Sequence, residues 1–298
     1  MRVSLTALLA ALAVAGLPGL QEPLGLDGSR REAPLAPRIE VRAPAAMGPQ
    51  AERLRRFDTA RLAAVMRLVG LEDAGAAVPV FLEPEDGPIA RETPTWVAGF
   101  ASRSEVVLFP ARAPSYPHDS LEELLQHEVA HVLIARAAGG RPVPRWFHEG
   151  VALAAERAWR LSDRTHFAFD VAFGGTVPVS SLDRLFEGGP GEVARAYRLS
   201  GMLQQDLLLV HGSNLPARVL AGMRGGLTFD AAFHASAGIG VDEASEAFWG
   251  RRRLWVTWLP WLTSAGSLWA LVTLLALAAF AVVRWRRAAR RWDDEDPG

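Results

Sequence analysis

The stretch LEELLQHEVAHVLIARAAGG, residues 121–140, holds two histidines, His127 and His131, four positions apart. On a helix that spacing stacks both imidazoles on one face with Glu128 alongside, which is the geometry of a zinc site. A catalytic zinc takes three protein ligands and keeps one position open for water. The chain has no cysteine, so the natural set is two histidines and one carboxylate. The segment VPRWFHEGVALAAE supplies that carboxylate. Its Glu149 lies 18 residues beyond His131, on the next predicted helix, across a Gly/Pro turn short enough to make the two helices neighbours.

The elements that must position these residues follow from periodicity. Strands are predicted at RIEVRA, AVPVFLEP, TWVAGFAS and SEVVLFP, with an amphipathic helix through ERLRRFDTARLAAVMRLVGL between the first two. From Asp119 onward the pattern is helical. Ser120 with Glu123 forms a capping box for the histidine helix, and Gly139 and Gly140 close it. A second helix opens at Pro144 and runs through RWFHEGVALAAERAW; a third starts near Pro190 and contains Tyr197. Strands first and helices after predict an α+β domain, a small N-terminal sheet subdomain followed by a helical one, over residues 39–253.

Composition narrows the partners. Formal net charge is −1 and half the residues are apolar, enough for a buried core. Every basic side chain is arginine, with no broad basic face for nucleic acid. Residues 1–21 read as a secretory signal peptide, with one Arg before an apolar run that ends at Pro18 and Gly19; residues 22–38 read as a spacer. Residues 264–283 carry no charge across 20 positions and predict a single C-terminal transmembrane helix. The five arginines between Arg284 and Arg291 would hold the tail 284–298 in the cytoplasm, with the main domain outside a bacterial cell membrane.

The pattern H-E-x-x-H followed by P-x-W-x-x-E-G resembles the gluzincin metallopeptidases, and within them the peptidase MA-like group of bacterial exported proteins. The likeness covers roughly residues 39–249, through TPTWVAGFAS, HEVAHVL, PRWFHEGVA and AYRLSGMLQQDLL. It implies a zincin-like fold, Zn2+ as cofactor, a peptide or protein substrate, and hydrolysis of peptide bonds. It also implies His127, His131 and Glu149 as ligands, Glu128 as the catalytic carboxylate, and Tyr197 as a transition-state donor. Two positions depart from the pattern: His148 stands where many relatives have Asn, and Leu153 occupies the place, four after Glu149, of an Asp that orients a ligand histidine. The residues that orient the ligands are therefore unassigned. Tyr197 reads equally as a half-buried core residue with a satisfied hydroxyl.

The remaining histidines, His118, His166, His211 and His234, stand alone and read as surface or capping residues. GFAS at 99–102 is either an edge strand that pairs with a substrate backbone or simply a sheet edge. FEGGPGE at 186–192 reads as a turn. Against the peptidase stands a non-catalytic exported binding module that keeps the fold and uses the metal as a staple; an intact Glu128 speaks against it, because a structural site has no use for a base there. An intramembrane protease is excluded by Glu122, Glu123, Gln126 and Arg136 around the motif.

Overall fold

Four short strands pair into one mixed sheet, three of them runs rich in β-branched residues: β1 (Ile39–Arg42), β2 (Val78–Leu82), β3 (Gly99–Ala101), which has none, and β4 (Val106–Leu108), in spatial order β1-β2-β4-β3. β1, β2 and β4 are parallel and β3 runs antiparallel to β4, with Gly99 opposite Leu108. The computed structural model describes residues 36–156, 166–167, 170, 175–252 and 265–294. The predicted signal peptide, the spacer up to residue 35, the end of the second predicted helix and the segment 253–264 lie outside the described residues.

Eleven α-helices are described, in chain order α1 (Gly48–Arg55), α2 (Ala63–Val69), α3 (Pro88–Glu92), α4 (Leu121–Ala137), α5 (Arg145–Glu156), α6 (Val179–Leu185), α7 (Pro190–His211), α8 (Leu215–Arg224), α9 (Phe229–Ala237), α10 (Val241–Arg251) and α11 (Ala265–Asp294). The α+β expectation holds, with a mixed sheet first and helices after it. Where one helix is predicted over 52–71, the structure has two. Asp58 takes an extended conformation there, and its side chain accepts from the Ala60 N–H at 3.0 Å. A short acidic side chain that can bond its own backbone favours such a break over helix continuation.

α4 is the axis of the domain. Leu124, Leu125, Val129, Val132, Leu133 and Ile134 are buried, as are His127 and Glu128, so the helix is enclosed on several faces rather than along one stripe. Ser120 accepts from the Glu123 N–H at 3.1 Å, while the Glu123 carboxylate reaches back to the Asp119 N–H at 2.8 Å, one residue before the reciprocal partner of a capping box. At the far end Gly139 and Gly140 both take the left-handed conformation, and the Gly140 N–H bonds the Ala135 carbonyl at 2.8 Å.

The predicted transmembrane span is corrected. A helix, α11, does form there, but among the described residues no helix is long and apolar enough to cross a membrane. The same helix continues through Arg284 to Asp294.

Candidate metal centre and cleft

The two histidines of α4 and Glu149 of α5 meet at one point. Nε2 of His127 lies 3.1 Å from Oε2 of Glu149, Nε2 of His131 lies 3.2 Å from the same oxygen, and the two Nε2 atoms are 3.1 Å apart. Ligands held about 2.0–2.1 Å from a tetrahedral zinc stand about 3.3–3.4 Å from one another, so the triangle is close to the size that such an ion requires. Its chemistry fits as well. A carboxylate oxygen and two imidazole nitrogens that face one another with lone pairs repel unless a cation sits among them.

Whether those lone pairs are present depends on the other ring nitrogens. Nδ1 of His127 lies 3.2 Å from Oε2 of Glu156, and Nδ1 of His118 lies 3.1 Å from Oε1. A carboxylate can only accept, so both rings donate their Nδ1–H to Glu156. In the neutral ring Nε2 of His127 is then a lone pair directed at Glu149. Nδ1 of His131 lies 2.6 Å from Nδ1 of His148, with ring planes 24° apart. One of the two rings must donate to the other, and with His131 as the donor its Nε2 lone pair also turns inward. Each of the two imidazoles thus has a partner at its other nitrogen.

The ionisation of the cluster follows. Burial pushes the Glu149 carboxyl up, but the charge of His131 and hydrogen bonds from both ligand histidines overcome it and hold the group well below the usual range. Burial likewise opposes Glu156, yet its bonds from His118 and His127 bring it down to about 2. Burial acts to lower His127, and the hydrogen bonds to Glu149 and Glu156 outweigh it, raising the imidazole to about 10. Without a metal, a proton takes the position that a cation would fill. His148 is pushed by burial and by His131 down to about 3.

Glu128, the next residue along α4, is buried, and burial raises its carboxyl above the ordinary value. The strand β3 passes against it: a side chain at Gly99 would come within 3.3 Å of Cγ of Glu128 and 2.8 Å of Leu108, so only glycine lets the sheet edge approach this carboxylate. Tyr197 on α7 is half-buried, its ring 6.3 Å from that of His127 and 5.4 Å from Phe186. Burial and then Glu149 and Glu128 push its hydroxyl well above the ordinary value, which keeps the proton on it. Glu128, His131, Glu149 and Tyr197 all line a cleft of about 1000 Å³, bordered on one side by β3. No strand lies beyond β3 among the described residues, so GFAS is a sheet edge facing this cleft.

Two features of the backbone set Glu149 in place. The Asp183 carboxylate of α6 accepts the N–H groups of Arg145 and Trp146, at 3.2 and 2.8 Å, and so caps α5 from outside its own sequence. Gly150 lets α5 lie on α7: a Cβ there would meet the Ser200 carbonyl oxygen at 2.7 Å and Cβ of Gln204 at 2.9 Å. The sequence reading misses His118, taken as a lone surface or capping residue, and Glu156. The signal for Glu156 is its place seven residues after Glu149, two turns along the same helix face. His118, His127 and Glu156 also lie within metal-binding reach of one another, but the two N–H donors that the carboxylate accepts account for that group without an ion.

No family model, no curated protein and no solved structure matches the chain.

Proposed function

We propose that the chain is a zinc-dependent peptidase of the gluzincin, peptidase MA-like kind, acting on peptide or protein substrates outside the cytoplasm, with His127, His131 and Glu149 as ligands. The observation that carries this reading is the triangle of two Nε2 atoms and one carboxylate oxygen, 3.1–3.2 Å on a side, open to a cleft beside a buried glutamate. Zinc held by these three residues would supply a Lewis acid for the scissile carbonyl and would lower the pKa of a water to about 7. Glu128, with its carboxyl raised by burial, lines the cleft beside the ligands, where it would take a proton from the attacking water and deliver it to the leaving amine. The Tyr197 hydroxyl, which holds its proton, donates to the oxygen that gains charge. The free edge of β3 offers backbone groups to an extended substrate. A purely structural metal would leave Glu128 without a role, which favours the enzyme over the non-catalytic binding module.

The test is metal content and turnover of the purified chain and three variants. His131→Ala and Glu149→Ala should lose zinc. Glu128→Gln should retain about one zinc per chain and lose peptide hydrolysis by about 10²- to 10⁴-fold. Equal zinc in all of them refutes the ligand set, and a zinc-loaded parent inert towards a broad peptide library shifts the weight to the binding module.

A further inference from the structure

We infer that Arg145, supported by Arg141, binds a carboxylate of the substrate within the cleft. The inference rests on the peptidase reading and adds the chemical class of peptide that the site selects. Apart from the metal centre and its base, the charged side chains lining the cleft are Arg103, Arg141, Arg145 and a single acid, Glu187. Three guanidinium groups stand against Glu187 and the two acids of the centre, Glu128 and Glu149, so with a divalent cation bound the cleft would be net positive and would concentrate that field on what enters it.

Arg145 is the guanidinium that stands ready. It opens α5, one turn before Glu149, and its side chain is half exposed. Its plane lies over the Phe186 ring at 4.5 Å, and its nearest acidic atom is Oε1 of Glu149 at 3.7 Å, too far for a close ion pair. The group is therefore placed by stacking and by an N–H that it donates to the Tyr197 hydroxyl, and a guanidinium has five N–H groups in all, so others can reach a substrate. Arg141 lies on the same segment, GRPVPR, between α4 and α5, and has no acidic partner among the described residues. A planar guanidinium fixed on an aromatic ring matches a carboxylate through two parallel N–H bonds. Such a carboxylate comes from the free C-terminus of a short peptide or from an Asp or Glu side chain near the scissile bond.

The experiment uses N-terminally fluorescein-labelled hexapeptides of alanine and phenylalanine, in four forms: free acid or amide at the C-terminus, and glutamate or glutamine inside. Binding is read by anisotropy on Glu128→Gln, and kcat and KM on the parent. A carboxylate form should bind about 10- to 100-fold more tightly than its amide partner, the range for a charge-assisted pair. Arg145→Gln should remove most of that difference and Arg141→Gln part of it, and Arg141→Gln should leave binding of the neutral peptides unchanged. In turnover the loss specific to the carboxylate forms should fall on KM, while any change in kcat that Arg145→Gln brings through Tyr197 should be equal for carboxylate and amide forms. Preference for the free acid assigns the C-terminus, and preference for internal glutamate assigns the side chain. No discrimination by the parent, or equal discrimination by Arg145→Gln, overturns the inference and leaves the peptidase reading intact. Discrimination in binding without any cleavage does the reverse.

Discussion

Glu156 is the residue on which the metal centre leans hardest without touching the ion, and its removal gives a test with worked magnitudes. It accepts from His127 at 3.2 Å and from His118 at 3.1 Å, in surroundings that exclude water. Glu156→Ala leaves two buried N–H donors unpaired, at about 1–3 kcal/mol each, so the folded state should lose about 2–6 kcal/mol, a large share of a typical total of about 5–15 kcal/mol. With the acceptor gone, nothing fixes which ring nitrogen of His127 carries the proton, and zinc affinity should fall by about 10- to 100-fold, or about 1.4–2.7 kcal/mol. Glu156→Gln keeps one oxygen for His127 and should fall in between. Urea titration with and without zinc reads the first loss, and competition with a chromophoric chelator reads the second on protein that remains folded. A folded Glu156→Ala protein that binds zinc as tightly as the parent refutes the orientation argument. His118→Ala separates the two candidate groups: it should weaken zinc binding only mildly, whereas complete loss there, with retention in Glu149→Ala, would put the ion between His118, His127 and Glu156.

Three further outcomes follow from the same geometry. In the metal-free protein, against the opposing effect of burial, Glu156 is depressed to about 2 by its bonds from His118 and His127, and His127 is raised to about 10 by its bonds to Glu149 and Glu156. The depressed acid contributes stability that is present above its ordinary value of 4.5 and lost as pH falls through about 2; the raised imidazole contributes stability that is full below 6.5 and lost as pH rises through about 10. Urea midpoints should therefore decline on both sides of the window between those ordinary values, and a midpoint that climbs from pH 7 to 10 contradicts the assignment. Gly150→Ala should cost about 1–3 kcal/mol by overpacking against Ser200 and Gln204, and it should lower zinc affinity by shifting Glu149; a melting temperature equal to the parent's counts against close approach of α5 and α7. Asp183→Ala should cost about 0.5–2 kcal/mol, the range for losing a helix cap, and thermal unfolding measures it.

Sequence pattern located β1, β2 and β4 because each is a β-branched run with turn residues on either side, and it located α4 and α7 because their caps are written in Ser120, Gly139 and Pro190. It read one helix over 52–71 because the apolar spacing continues across Asp58, whose side chain chooses a local hydrogen bond instead. Helices α6, α8, α9 and α10 were not singled out. Each is 7 to 11 residues long, and helices that short are held by tertiary packing more than by propensity. The C-terminal stretch shows the opposite failure: an uncharged run implied a span, yet α11 carries on into charged residues as far as Asp294, and among the described residues no helix is long and apolar enough to cross a membrane.

The meeting of His127, His131 and Glu149 was legible because their spacing lies within one helix and its neighbour, whereas the residues behind them were not. His118 is 38 residues from Glu156 and sits before α4 begins, so no local period links it to the motif; only the fold brings its ring within 4.4 Å of His127. The place four after Glu149 holds Leu153, which is buried, and the carboxylate behind His127 is Glu156, seven after Glu149. Because α4 is enclosed by the core and Glu156 and His148 hold the rings from behind, the imidazoles point at one spot before any ion arrives. Binding need not organise the ligands, only displace the proton that His127 carries. Zinc uptake near neutral pH should then release about one proton per ion while leaving the helical content unchanged, which calorimetry in two buffers of different ionisation enthalpy and far-ultraviolet circular dichroism can check together; zinc that adds helix without releasing protons would mean the site is assembled by its metal instead.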